Sequence, residues 1–246
     1  MLRLALLVFI LTLQSWAIIS IEPIDIADNK PGWRKQIFAS FGVTRGNSDT
    51  DKYNAGIQMQ YDATNSVSTL NGDYSFGKAN GVKNIDKTYL HLRHIHGISS
   101  DVVMEYFTQA EKNEFQKLNL RLLFGMGPRI RLSESKEWGK IYLGLSLIYS
   151  IEDEKSNSKQ EYGISSIYLS YKHKINSSVD VTYTGYYQPR LDFIDDYRIL
   201  QTAEVKVKLI KDFSLLIRAQ HNFDNKPYIN VKKSDIAQTL SVSYEF

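Results

Sequence analysis

The stretch from Lys117 to Leu132 alternates between mostly apolar and mostly polar positions over its whole length. Because successive side chains of a β-strand point to opposite faces, this pattern predicts a strand with one apolar and one polar face. Strands of soluble sandwiches seldom reach this length, so the stretch points away from a soluble sandwich. Pro128 donates no ladder hydrogen bond, and it predicts a bulge or a strand end within the stretch.

The same alternation recurs along the chain and predicts about twelve strands. They are expected near residues 33–45, 51–64, 67–77, 87–97, 101–112, 117–132, 140–152, 162–175, 179–189, 197–209, 213–222 and 235–246. No segment shows a sustained helical period. Beyond the N-terminus, no apolar run approaches the roughly 18 to 20 residues that a spanning helix needs, which excludes a helical membrane protein.

The connections between these strands are predicted to be of two kinds. Short turns are expected at 65–66, 98–100, 176–178 and 210–212, with a slightly longer one at 133–139. The connections that alternate with them are polar and mostly longer, at 46–50, 78–86, 113–116, 153–161, 190–196 and 223–234. The asymmetry predicts an all-β, antiparallel up-and-down transmembrane barrel with short periplasmic turns, longer outer loops and both ends in the periplasm.

The two ends of the chain carry predicted export signals. Met1 to Ala17 has one basic residue, an apolar core and small residues before a break, as a cleavable signal peptide does. Residues 18–32 would form a periplasmic tether, and residues 33–246 the barrel. The last strand resembles the signal that bacterial outer-membrane barrels present to their assembly machinery, so Tyr244 and Phe246 are predicted to be that signal. Secretion and barrel-assembly machinery are therefore expected partners, and the bacterial outer membrane is the expected location.

The orientation of the apolar face distinguishes a membrane barrel from a soluble, lipocalin-like barrel that holds an apolar ligand. The polar face carries many small residues, including Gly56, Gly125 and Gly144, which suit a crowded lumen. The apolar face has tyrosine and phenylalanine near strand ends, as at Tyr53 and Tyr61, which is typical of interfacial girdles. We therefore expect this face to meet outer-membrane lipid and lipopolysaccharide.

Charged residues of the polar face are expected to pair across hairpins inside the barrel. With turns centred on Ser99, Ser177 and Lys211, the opposed pairs are Arg93 with Glu105, Lys174 with Asp180, and Glu204 with Arg218. Six further basic residues would form an excess in the lumen: Arg121, Arg129, Arg131, Lys172, Lys206 and Lys208. Solvated charges without function are the alternative, since exposed pairs are typically worth under ~1 kcal/mol.

Catalytic and metal-binding patterns are sparse. A twelve-stranded barrel of this size resembles outer-membrane phospholipase A, which uses a histidine and a serine two residues apart, but none of the five histidines here has that spacing. His94 and His96 share a face, yet no acid or cysteine completes a metal site beside them. We predict no catalytic residue, cofactor or metal. Lysine and arginine total 30 against 27 acids, a balance too even to predict nucleic-acid binding.

Three short motifs resemble one family. They are the segment from Phe41 to Thr50, the segment from Arg121 to Arg131, and the closing Ser243-Tyr-Glu-Phe246. Together they resemble the YdiY-like family of salt-induced outer-membrane proteins, whose shared domain has no assigned activity. The resemblance covers the chain from about Trp33 to its end. It implies location and architecture, and it carries no catalytic residues over.

The predicted function is therefore non-enzymatic. The barrel is expected to be a narrow, porin-like and weakly selective pore, or a barrel that mainly reinforces the Gram-negative envelope. A basic excess in the lumen would favour anions where a continuous water path exists. An outer-membrane lipid-modifying hydrolase and a soluble periplasmic ligand-binding barrel stay open as alternatives, and so does the oligomeric state.

Overall fold

The computed structural model describes residues 31–44, 50–154, 159–227 and 231–246. The predicted signal peptide and nearly all of the predicted tether lie outside these residues. Within them the chain forms one closed antiparallel barrel in which each strand pairs with its neighbours in sequence, and β1 pairs with β12. No helix in the described ranges has the length and apolar composition to cross a bilayer.

The twelve strands of the barrel agree closely with those predicted from alternation. They are β1 (Gly32–Thr44), β2 (Thr50–Asp62), β3 (Ser66–Ala79), β4 (Val82–Gly97), β5 (Val102–Asn113), β6 (Leu118–Ser135), β7 (Gly139–Glu154), β8 (Gln160–Lys174), β9 (Val179–Pro189), β10 (Tyr197–Ile210), β11 (Phe213–Asp224) and β12 (Ser234–Glu245). We call the end that carries Gly32 and Phe246 the terminal rim, and the opposite end the distal rim.

The apolar face of the strands points outward and the polar face points into the barrel. Trp33 and Leu147 are 61% and 62% exposed, whereas Arg93 and Glu152 are 4% and 1% exposed. A soluble barrel that held an apolar ligand would have the reverse arrangement. The orientation therefore agrees with the predicted membrane barrel.

Aromatic rings pair on the outward face near both rims. Trp33 lies 5.0 Å from Tyr61 between ring centroids at the terminal rim, and Phe41 lies 5.0 Å from Tyr53 at the distal rim. Tyrosine and tryptophan rings with one apolar and one polar edge suit the boundary between lipid and water. The ring pairs thus form two girdles that border the apolar band.

Three aromatic side chains inside the barrel lie over a glycine on the neighbouring strand. The register opposes Phe38 to Gly56, Phe107 to Gly125, and Gly144 to Tyr168. In each case the ring occupies the space that a Cβ atom would need if the glycine were any other residue. The nearest ring atoms lie 1.9–2.2 Å from that Cβ position. Glycine therefore lets large rings lie flat against the inner wall.

The connection between β3 and β4 is shorter than predicted. Asn80 and Gly81 form a two-residue turn with φ of 50° and 78°. Positive φ at both central residues is the requirement of the type I′ hairpin turn, which asparagine and glycine satisfy best. The predicted longer connection at 78–86 is therefore wrong. The two rims therefore differ less in loop length than predicted, because the connection at 114–117 is short as well.

The predicted bulge or strand end at Pro128 is absent, although the pairing of β6 with β7 is interrupted at Gly127 and Pro128. Strand β6 runs through this residue, and Met126 with Leu147 and Arg129 with Gly144 keep one register on either side of it. The register shifts of β6 against β7 lie elsewhere, at 118–120 and 131–133. The long strand thus bends at its two ends.

Candidate functional site

The lumen is the candidate site, and the half formed by β4 to β8 is filled by side chains. At its centre Glu105 lies 3.7 Å from Arg93 and 3.4 Å from Arg129, and it accepts a 2.8 Å hydrogen bond from the Tyr168 hydroxyl. All three charged side chains are buried. The carboxylate Oε1 makes charge contacts with both guanidinium groups without hydrogen-bond geometry. The group therefore joins four strands, β4, β5, β6 and β8, across the barrel interior.

A second buried network lies nearer the distal rim. Glu152 accepts hydrogen bonds from Arg121 at 2.7 Å, from Arg198 at 3.0 Å and from the Tyr162 hydroxyl at 2.5 Å. Arg121 also lies 3.5 Å from Glu111. Buried charges are stable when they are paired and hydrogen-bonded, as they are here. The two networks place buried, paired charges across this half of the lumen.

The rest of the lumen contains three cavities in series, lined mainly by β1 to β3 and β9 to β12. The terminal ends of β6 to β8 also line the terminal cavity, and β4 contributes to the distal cavity. Within the described residues, a terminal cavity has about 850 Å³, a middle cavity about 100 Å³ and a distal cavity about 320 Å³. The terminal and middle cavities share Gln58 and Glu204, and the middle and distal cavities share Phe38, Asp73 and Arg218. The three therefore lie end to end, with the smallest in the middle and Phe38 at its junction with the distal cavity.

The terminal cavity carries an excess of positive charge. Seven lysine and arginine residues line it against four aspartate and glutamate residues. The basic residues are Arg34, Lys35, Lys136, Lys140, Lys172, Lys174 and Lys206. Charges in a cleft with low-dielectric walls focus their field, so this cavity attracts anions.

The structure distributes the six predicted basic residues of the lumen among four places. Arg121 and Arg129 belong to the buried networks and are neutralised by carboxylates. At the terminal rim, Arg131 forms ion pairs with Asp101 and Glu134. Lys172 and Lys206 line the terminal cavity, where Lys206 lies 3.4 Å from Glu245. Lys208 is exposed farther along β10. The predicted basic excess is therefore spread over several sites, because residues on a shared face of the sheet can lie on different strands and at different heights in the barrel.

The three predicted ion pairs have different outcomes. Glu204 is registered against Arg218 and bonded to it at 2.7 Å, as predicted. The register also places Lys174 opposite Asp180, and both residues line the terminal cavity.

The predicted opposition of Arg93 and Glu105 is wrong. Arg93 is registered against Phe107 and Glu105 against Ile95, because the turn is centred one residue later than expected. The two charges meet along a diagonal between strands instead.

One pair that the sequence pattern missed lies on the outward face. Ser68 and His94 are registered across β3 and β4 near the terminal rim, with Oγ and Nδ1 2.9 Å apart. A lipid-modifying hydrolase needs an outward histidine with a hydroxyl within reach, and this pair supplies both groups. On its other side His94 is registered against Tyr106 rather than an acid. The Asn80-Gly81 turn alone would oppose Ser68 to Arg93, and a bulge at Gly77 and Lys78 shifts the register by one residue to His94.

Among the described residues, no group of three histidine, cysteine, aspartate or glutamate side chains is arranged to hold a metal ion. A second outward serine–histidine pair, His221 with Ser234, lies at the distal rim with Nε2 and Oγ 2.9 Å apart.

Comparisons with known proteins bear on the fold and the family. A family model described as "Protein of unknown function, DUF481" matches residues 37–246. This confirms the predicted resemblance at the level of a domain without an assigned function. No curated protein matches the chain in sequence.

Among solved structures, the NanC porin superposes with a TM-score of 0.55 at 7% identity, over 86% of this chain and 98% of that chain. The translocator domain of the autotransporter NalP from Neisseria meningitidis gives 0.51 at 11% identity, over 90% and 91%. At such low identity these likenesses show the fold alone, which is that of an outer-membrane β-barrel.

Proposed function

We propose that this chain, which belongs to the family "Protein of unknown function, DUF481", is a narrow outer-membrane pore that favours small anions. The observation that carries the proposal is the series of three cavities through the half of the lumen that side chains do not fill. The middle cavity, at about 100 Å³, would hold only a few waters, so the permeating solutes would be small and weakly selected.

Location in the outer membrane is part of the proposal. The outward apolar band with aromatic rings near both rims supports it, because lipid accepts an apolar surface that water would not. Both described chain ends lie at the terminal rim, which we place in the periplasm. The likeness to the NanC porin supports this architecture. Under this proposal, anions leave or enter the periplasm through the basic terminal cavity.

Replacing Lys172 and Lys206 together with glutamate is expected to reverse the ion preference. Two positive charges of the terminal cavity would become negative, and charges in such clefts produce local potentials of several kT. Reversal potentials of the purified, folded protein in planar bilayers, measured at low salt to limit screening, should show a preference for chloride over potassium. The double variant should shift the permeability ratio towards potassium by about an order of magnitude.

A matched control replaces Lys78 and Lys112 with glutamate. Both side chains point outward near the distal rim, so the same charge change lies outside the pore and the permeability ratio should not move. If the folded wild-type protein gives no conductance, the pore is refuted and an envelope-stabilising barrel becomes the leading function. An equal shift in both double variants would refute the terminal cavity as the selective element.

The hydrogen bond between Ser68 and His94 favours one second candidate, a lipid-modifying hydrolase. A histidine that accepts the serine proton generates the nucleophile of acyl transfer. The pair lies on the outward face at the terminal rim, where phospholipid head groups and ester bonds would meet it. The neighbouring Tyr106 does not supply the carboxylate that usually orients such a histidine, which ranks this function second.

Ser68→Ala tests that candidate directly. If the pair is catalytic, the wild-type protein in phosphatidylethanolamine vesicles releases fatty acid, and the variant loses activity by about 10³-fold or more, as for removal of a nucleophile. Ser234→Ala, which removes the equivalent hydroxyl beside His221 at the distal rim, is the matched control and should keep full activity. No fatty-acid release by the wild-type protein would eliminate the hydrolase.

A further inference from the structure

The carboxylate of Asp73 lines both the middle and the distal cavity. The register places Asp73 between Gly56 and Tyr89, at the level of Phe38, which lies opposite Gly56. The side chain is therefore at the junction of the two cavities. Among the described residues, no lysine, arginine or histidine forms an ion pair with Asp73.

The basic residues that line these two cavities are engaged with other groups. Three of the four in the described ranges are paired with carboxylates other than Asp73. The pairs are Arg218 with Glu204 at 2.7 Å, Lys206 with Glu245 at 3.4 Å and Lys87 with Glu111 at 3.4 Å. The fourth, Lys52, also interacts with another group. Lys87 and Arg218 act on Asp73 through space without contacting it, so no contact neutralises this carboxylate.

Two neighbours hold the Asp73 carboxylate in place. Asn54 donates from Nδ2 to Oδ2 at 2.5 Å, and Ser75 donates from Oγ to Oδ1 at 3.3 Å. Both neighbours line the distal cavity with it. An ionised carboxylate has about four lone-pair sites, so two hydrogen bonds leave each oxygen able to bind a further group.

The middle cavity also presents uncharged polar groups without partners. Thr202 of β10 lines it and is only 7% exposed, and its Oγ1 has no hydrogen-bond partner among the described residues. A buried polar atom without a partner costs about 1–3 kcal/mol, so its presence in a cavity points to a ligand. Asn71 lines the same cavity with an unpartnered Nδ2, and a half-turn of its side chain presents the amide oxygen instead.

The charge and the size of the site select its ligand. One carboxylate with uncharged oxygen groups balances a single positive charge, whereas dedicated calcium sites use several carboxylates. No described group of three acids or histidines is available here for a divalent ion. The middle cavity, at about 100 Å³, is too small for most organic cations but holds an ion with a few waters.

We propose that the junction of the middle and distal cavities binds one small monovalent cation, such as a sodium or potassium ion. The Asp73 carboxylate supplies the charge, and Thr202 and Asn71 supply uncharged oxygens from the middle cavity. The bound ion would cancel the negative charge at the junction and so ease the passage of anions. That consequence rests on the proposed pore, whereas binding itself does not require conduction.

Thallium(I), a monovalent probe close to potassium in size, tests the site. The folded full-length protein in uncharged detergent micelles is titrated with thallium(I) and followed by thallium NMR. We expect saturable binding that potassium reverses. Asp73→Asn keeps the shape of the side chain but removes its charge, and it should weaken binding by about tenfold or more. Asp180→Asn, which removes a carboxylate of the terminal cavity, is the matched control and should bind as the wild type does.

Thr202→Val separates coordination from general charge attraction. The variant keeps the net charge and the shape, and it removes a hydroxyl that has no partner, so the barrel should fold with undiminished stability. Thallium(I) binding is nevertheless expected to weaken several-fold. This variant stays informative if Asp73→Asn does not fold, as judged by circular dichroism.

Four results would overturn the proposal. They are the absence of saturable binding to the wild-type protein, equal weakening in Asp73→Asn and Asp180→Asn, unchanged binding in Thr202→Val, and displacement of thallium(I) by micromolar calcium. The second would mean diffuse attraction by the lumen, and the last would mean a divalent site. Because no ion flow is measured, a wild-type protein that binds thallium(I) but does not conduct would refute the pore alone.

Discussion

Replacing Glu105 with glutamine is expected to lower the free energy of unfolding by about 3–5 kcal/mol, the usual cost of removing one partner from a buried ion pair. Glu105 is the carboxylate between Arg93 and Arg129, and all three side chains are buried. Glutamine keeps the shape and the hydrogen bond with Tyr168 but removes the negative charge. Two guanidinium groups would then lie close together in the filled half of the lumen without neutralisation.

Urea unfolding of the protein refolded in phospholipid vesicles, followed by tryptophan fluorescence, measures this loss. Glu134→Gln is the matched control, because Glu134 also contacts two basic residues, Arg131 and Lys140, but lies at the terminal rim with 42% of its side chain exposed. Exposed pairs are worth under ~1 kcal/mol, so this variant should unfold nearly as the wild-type protein does. Equal stability losses in the two variants would contradict a special role for the buried network.

Alternation predicted the strands well because lipid and lumen impose opposite demands on neighbouring residues. In β12, Leu240 and Val242 face outward while Ser241 and Ser243 face the interior, as the sequence indicated. A shift of one residue would bury the apolar set among charges and expose the polar set to lipid. This penalty acts on every strand, so the fold could be read from local sequence alone.

Turn chemistry limited the prediction of register and of the site. A hairpin centred one residue away from the assumed position moves every opposed pair, which is why Arg93 faces Phe107. The Asn80-Gly81 turn and the bulge at Gly77 and Lys78 together set the contact between Ser68 and His94. Residues that are 26 positions apart meet there, and alternation within one strand carries no information on such contacts.

Local sequence patterns could not predict which half of the lumen is filled by side chains, for a different reason. Inward residues of both halves look alike in sequence, since both include small, hydroxylated, charged and aromatic side chains. Which half fills depends on side chains that reach across the barrel, as Arg198 does to Glu152 from β10 to β7. The closure of β1 against β12 likewise depends on the shape of the whole barrel. The series of cavities and the short pairing of β1 with β12 are therefore properties of the assembled fold.

Replacing Phe38 with alanine is expected to raise single-channel conductance several-fold. Phe38 lines both the middle and the distal cavity, and its ring lies over Gly56 at the junction of the two. Removing the ring joins the two cavities by a wider passage, and conductance through a narrow pore is limited by its tightest section. Planar-bilayer recordings of folded protein at one salt concentration compare the variant with the wild type.

Phe107→Ala is the matched control for this prediction. Phe107 lies over Gly125 in the same manner, but it packs against Ile148 and Ile164 in the filled half. Its removal creates a cavity that the buried networks separate from the open path, so conductance should stay near the wild-type value. If both variants raise conductance equally, ions cross the filled half, and the series of three cavities is not the pore. If neither variant changes it, the ring of Phe38 is not the limiting section.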